Sequence, residues 1–318
     1  MAREEYFVDR FDAIGTRCEV LVYRSTYPKE AMRIAHAEIR EVDAIASFYS
    51  SDSELTRINV APAERIFVSE TLFEIFEVFA WAYAASTGLC DPAVGGSNAE
   101  LVFGSNQKLR AFMQDKNLEA GSFGDVQLDR ASLAISRPVG TVLDLGGLTK
   151  SWLADRIAAR IVEATGGGVL VNLGGDIAVV GAAPERGWRV NVTHDVSLAP
   201  DSPGQEILVS SGGIATSSRL TRRWTDSKGA SREHLERSDG VSLEDSPFVG
   251  ATAAGRSALL ANFYTLTSLL SGRRAIATMA RYSTPALIRA TDGTRVSLGG
   301  WPSDGASSKY TKPLVGAQ

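Results

Sequence analysis

An apolar run that ends in an acid and breaks into a glycine pair constrains this chain more than any other stretch: Thr141-Val142-Leu143-Asp144-Leu145-Gly146-Gly147-Leu148-Thr149-Lys150. Apolar residues at helical spacing follow at Leu153, Ile157, Ile161 and Val162, so the glycines and the lysine stand at the opening of an amphipathic helix. Glycines there bare backbone N–H groups, and a helix N-terminus favours negative charge, which suits a phosphorylated ligand. The same pattern also serves an ordinary strand–loop–helix joint. A second glycine pair lies in Val171-Asn172-Leu173-Gly174-Gly175-Asp176-Ile177. Neither pair forms GxGxxG, and the acid precedes the glycines instead of following them by about 20 residues, so a Rossmann domain is not expected.

With 318 residues, 44% of them hydrophobic, the chain can bury a substantial core as one large domain or two interlocked halves. A formal net charge of -4 argues against a general polyanion binder, and nucleic acid is not an expected partner. Two cysteines, Cys18 and Cys90, are too few for a disulfide framework and are not spaced for zinc, which suits a reducing compartment. The first ten residues are charged throughout and lack the apolar core of a secretory signal, and no apolar stretch approaches the roughly 20 residues that span a bilayer. A cytoplasmic protein without membrane insertion is the expectation.

Period-two alternation over residues 11 to 23 predicts a half-buried strand after a turn at Gly15. Helical spacing predicts helices from Lys29 to Phe48 and, after an N-cap at Ser69, through Leu72, Phe76, Phe79 and Tyr83 to a stop at Gly88. A loop from Asp91 to Gly96 and a weakly patterned polar region come next. Strands are expected near 126 to 136 and 141 to 145, then a helix from Ser151 to Ala164 and a strand pair from Val169 to Val180, a β-α-β order. Further strands are expected around Trp188 to Thr193, Glu206 to Val209 and Gly212 to Ser218. Thr225 to Pro247 reads as a long charged flap, and a last helix runs from about Ala253 to Ser271. Residues 1 to 302 are expected to form one domain, and 303 to 318 a flexible tail.

The order of these segments resembles the ApbE family of FAD:protein FMN transferases over roughly residues 11 to 272. The resemblance is carried by Ala13-Ile14-Gly15-Thr16, by Ser47-Phe48-Tyr49 with Ser53-Glu54-Leu55 and Asn59, and by Thr87-Gly88-Leu89-Cys90-Asp91-Pro92. It continues through Asp144 to Lys150, Asn172 to Asp176, Ala215-Thr216-Ser217-Ser218 and the last helix. It implies an α+β fold of antiparallel sheets flanked by long helices, T-fold-like. It also implies a magnesium-assisted enzyme that cleaves FAD, joins FMN to a Ser or Thr hydroxyl of an acceptor protein and releases AMP. Such a reaction needs positioned phosphates, countercharge and a base for the incoming proton.

Carried over residue by residue, the resemblance places Ile14, Tyr49, Leu89, Cys90, Asp91, Asp144, Lys150 and Leu235 against FAD, with Tyr49 stacking on the flavin. It places Gly147 and Asn262 at the metal, and gives His234 and Lys150 catalytic parts. Of the three histidines, His36 and His194 read as surface or structural. His234 lies in the charged flap, and an imidazole is suited to take a proton near neutral pH. The chain departs from the family in three places. Ile14 replaces a methionine. The segment His234-Leu235-Glu236-Arg237-Ser238-Asp239-Gly240 lacks the family's Asp-Pro-x-Thr-Gly turn after the histidine. Asn262 and Leu266 stand where the family has a metal-binding Asp and, four residues on, a Thr, so the expectation is weakened metal binding or a site rebuilt around Asp144 and water. Two further readings stay open: an FAD-binding relative without transfer, and an FAD pyrophosphatase with water as acceptor.

Overall fold

The computed structural model describes residues 6–102, 104–114, 121–193, 202–221, 223–225, 229 and 231–302. The tail expected at 303 to 318 lies outside the described residues, as does His194. The chain divides into two compact units. One takes in Met1–Ile39, Lys150–Thr221 and Ser246–Gln318, the other Arg40–Thr149 and Arg222–Asp245.

The first unit is built on an antiparallel sheet of eight strands. In spatial order they are Tyr6–Ala13, Thr16–Tyr23, Gly168–Leu173, Asp176–Gly181, Gly212–Ser218, Phe248–Gly255, Ala286–Ala290 and Arg295–Leu298. Its first two strands form a hairpin whose two-residue turn, Ile14 and Gly15, has φ values of 47° and 68°. Both are left-handed, as a turn that matches strand twist requires. Val20, Val22, Leu170, Val171, Ile177 and Val179 alternate across this sheet and are buried.

One face packs Ile214, Leu170, Val179 and Leu287 against a two-stranded ribbon, Trp188–Val192 with Gln205–Val209, and Trp301 closes this core. Against the other face lies the helix Ala258–Leu270. The approach is close enough that a Cβ on Gly213 would come within 2.2 Å of the Ala258 nitrogen. The helix was expected from Ala253, but Ala253 and Ala254 belong to the buried strand Phe248–Gly255. Alanine favours helix by local propensity; here tertiary packing against the helix backbone selects the small side chain and overrides it.

The second unit holds the helices Glu54–Val60, Glu70–Ala85, Gly95–Val102 and Gln107–Gln114 with a three-stranded antiparallel sheet of Arg65–Phe67, Ala134–Ser136 and Gln127–Asp129. Ser69 caps the Glu70–Ala85 helix as expected, accepting the N–H of Leu72. Leu72, Phe73, Phe76 and Phe79 bury its inner face, with Phe76 stacked on Phe123. The polar region after Asp91 contains two helices that its pattern did not announce. Residues 141–145 have no regular secondary structure and join no ladder, so the expected β-α-β order is corrected. Asn59 takes the place of a neighbouring strand: its Nδ2 donates to the Leu143 carbonyl at 2.8 Å and its Oδ1 accepts the Leu143 N–H at 2.9 Å. In the charged flap, Arg223–Thr225 and Ser231–Glu233 pair as a short hairpin.

Every strand pairing among the described residues is antiparallel, and long helices flank the sheets, which is the expected α+β class. No described helix is long and apolar enough to cross a membrane.

Candidate active site

Tyr49, Leu89, Cys90, Asp91, Asp144, Gly147, His234 and Leu235 belong to the second unit; Ile14, Lys150 and Asn262 belong to the first. In the second unit Asp144 is held from every side. Its N–H donates to the Pro92 carbonyl at 2.8 Å, its Oδ1 accepts the Gly146 N–H at 2.8 Å, and its Oδ2 accepts Asn98 Nδ2 at 3.2 Å. The carboxylate thus sits at the first turn of the helix Gly146–Thr165, where it complements the positive end of the dipole. Gly146 and Gly147 are exposed residues of the first turn, and the Gly146 N–H is already donated to Asp144.

Asp91 is buried and its carboxylate is fully engaged. It accepts the N–H groups of Ala93 at 2.8 Å and Phe123 at 3.1 Å, and the hydroxyls of Ser122 at 3.1 Å and Ser238 at 2.8 Å. Cys90 is buried too, and burial pushes its thiol up to about 12, so it packs as an inert apolar group. Leu89 is half-buried and Tyr49 is 42% exposed, presenting its ring to solvent at the end of the Phe48-Tyr49 turn. His234 is half-buried just after the strand Ser231–Glu233, and Leu235 beside it is buried.

In the first unit the second glycine pair proves to be a hairpin turn. Gly174 and Gly175 have φ of 67° and 95° and join strands in which Leu173 pairs with Asp176. Asp176 is buried, and Lys150 Nζ stands 3.8 Å from its Oδ2. The lysine therefore has a carboxylate that offsets the repulsion a cation meets in the first turns of a helix. Half-buried Ile14 occupies the hairpin turn between the first two strands.

Asn262 is buried in a neutral network. Its Nδ2 donates to Ser151 Oγ at 3.1 Å, and Ser217 Oγ donates to its Oδ1 at 3.3 Å while lying 2.7 Å from Thr265 Oγ1. Leu266 is buried beside it. Asp155 locks the two helices in this register: it accepts the N–H of Ala258 at 2.8 Å and of Leu259 at 2.9 Å, which sets Ser151, one turn earlier, opposite Asn262, one turn later. Every oxygen of this cluster belongs to an amide or a hydroxyl. A hard dication that dehydrates reluctantly favours carboxylates, so the residues at Asn262 do not fit magnesium. Among the described residues no group of three His, Cys, Asp or Glu side chains forms that could hold a metal ion.

Asn98 was not singled out in the sequence, Ser151, Ser217 and Ser238 stood inside noted segments without a part of their own, and Thr265 was noted only as a neighbour of Leu266 turned away from its direction. Ser151 stands one helical turn before Asp155, a same-face spacing that could have flagged it. The others carry no periodic signal, because their partners are far away in the chain.

The model of the ApbE family matches residues 14–288. An FAD:protein FMN transferase of Treponema pallidum (strain Nichols) is 27% identical over 238 residues, which is 66% of this chain and 63% of that protein. The match thus spans less than two thirds of that relative's length. Among solved structures, the ApbE protein of Thermotoga maritima superposes with a TM-score of 0.76 at 20% identity, covering 92% of this chain and 97% of that one. The apo form of the flavinyl transferase ApbE of Pseudomonas stutzeri gives 0.74 at 17% identity, covering 94% and 97%. The flavin transferase ApbE of Vibrio cholerae gives 0.73 at 19% identity, covering 93% and 98%. With the family model spanning nearly the whole described fold, this chain belongs to the ApbE family.

Proposed function

We propose that this chain is an FAD:protein FMN transferase, which moves FMN from FAD to a Ser or Thr hydroxyl of an acceptor protein and releases AMP. The observation that carries the reading is the first turn of the Gly146–Thr165 helix, with two exposed glycines, a pinned Asp144 and Lys150 one turn on. In this reading the positive end of the helix dipole and the ammonium of Lys150 hold the diphosphate and offset charge on its oxygens. Asp176 keeps the Lys150 side chain directed before substrate arrives. Tyr49 offers an exposed ring for stacking on isoalloxazine. His234 takes the proton of the incoming hydroxyl. The hydroxyl oxygen bonds to the flavin-side phosphorus, the bridging P–O bond breaks, and its electrons leave with AMP. A cytoplasmic setting belongs to the same reading and is supported by two buried free thiols, Cys18 and Cys90.

Magnesium has no part in these steps, because the Asn262 cluster does not suit it. That cluster also favours a second reading, in which the chain binds FAD without transferring it. Incubation with FAD and an acceptor carrying a flavinylation site separates the readings. Covalent flavin fluorescence on the acceptor together with AMP release is the expected result. AMP and free FMN without labelled acceptor indicate a pyrophosphatase, and FAD binding without AMP indicates the binding relative.

A further inference from the structure

We infer that Ser238 is a positioning residue for transfer, holding the segment that carries His234 through its hydrogen bond to Asp91; the inference rests on the transferase reading above. A buried carboxylate must be satisfied by donors, and of those at Asp91 one is two residues away, at Ala93, and two are 31 and 32 residues away, at Ser122 and Phe123. The fourth, Ser238 Oγ at 2.8 Å, comes from 147 residues away. It ties the charged segment to the turn before Pro92 and to the short helical turn Phe123–Asp125, both of them parts of the second unit's core.

Around Ser238 the chain closes into a tight turn. Arg237 Nε donates to Asp239 Oδ1 at 2.8 Å, the Gly240 N–H donates to the Arg237 carbonyl at 3.1 Å, and Gly240 has a φ of 72° that favours glycine. Leu235, next to the histidine, is buried. The segment is thus fixed at Leu235 and at Ser238, with a closed turn beyond. A proline would restrict such a turn in the unfolded chain as well as the folded one; none stands between His234 and Gly240, so the order must come from native contacts. Charge assistance makes the Ser238–Asp91 hydrogen bond the strong type.

The test compares wild type, Ser238→Ala, Ser238→Thr and His234→Ala, with Ser238→Ala repeated in the His234→Ala background. Ser238→Ala is expected to lower the transfer rate roughly tenfold with little change in KM for FAD. Threonine, which keeps the hydroxyl, restores it. In the His234→Ala background the alanine at 238 costs nothing further, because the two residues act as one. Amide exchange over 234–245 accelerates in Ser238→Ala while the Glu70–Ala85 helix keeps its protection. Unchanged exchange or an unchanged rate in Ser238→Ala overturns the inference, as does an equal loss in the His234→Ala background. A wild-type chain that binds FAD and never transfers defeats the transferase reading instead, and the exchange comparison still decides whether Ser238 holds the segment.

Discussion

Asn262 gives its side-chain amide to the hydroxyl of Ser151 across 3.1 Å, so the helix Ala258–Leu270 meets the helix Gly146–Thr165 through an uncharged amide. The hydroxyls of Ser217 and Thr265 lie on its Oδ1 side, and both are neutral groups.

Divalent ions should therefore bind this chain weakly. Titration of Mn2+ followed by electron paramagnetic resonance is expected to give a Kd no better than about 1 mM for the wild type. Asn262→Asp should bind at least roughly tenfold more tightly and gain thermal stability when the ion is added. Tight Mn2+ binding by the wild type contradicts the account of this cluster.

Asp155 makes stability depend on pH. Burial raises its pKa, against the opposing effect of the Leu259 and Ala258 amides and of Ser257. The folded protein then holds the proton more firmly than the unfolded chain. Above the unfolded value of about 4, unfolding free energy falls as pH rises, and it levels off above the folded pKa. Asp155→Asn should flatten that slope and, having one acceptor oxygen where the carboxylate has two, cost about 1–2 kcal/mol near neutral pH. Denaturant unfolding at a series of pH values checks this; an undiminished slope in the variant contradicts it.

Arg137 is 2% exposed, and its guanidinium closes the end of the helix Glu54–Val60. It donates to the carbonyls of Ile58, Asn59 and Ala61, the last at 3.2 Å, and to that of Pro138 at 3.0 Å. Arg137→Met strips the donors from buried carbonyls and should cost about 3 kcal/mol in urea unfolding. A loss under about 1 kcal/mol means that the guanidinium is not what holds this end.

Much of this fold could be read from periodicity, because the Thr16–Tyr23 strand and the Ser69-capped helix follow local rules of alternation and capping. The helices Gly95–Val102 and Gln107–Gln114 escaped because they are only 8 residues each, too short for Leu109, Phe112 and Met113 to establish a repeating stripe. Residues 141–145 looked like a strand because apolar residues run together there, yet a side chain, Asn59, supplies the pairing that a ladder supplies elsewhere. In the candidate site, Asp144, Gly146, Gly147 and Lys150 are adjacent in sequence and could be picked out as a group. Their supports could not, since Asn98, Asp176 and the Asp91–Ser238 link arise only when distant segments meet.

The central claim is that the first turns of the Gly146–Thr165 helix grip a dinucleotide's diphosphate, and calorimetry of FAD against wild type and Lys150→Ala, without divalent ion, tests it most directly. The wild type should release heat on binding, and the variant should bind at least roughly tenfold more weakly, about 1.4 kcal/mol. A wild-type chain that shows no heat with saturating FAD, or a variant that binds it equally well, contradicts the claim.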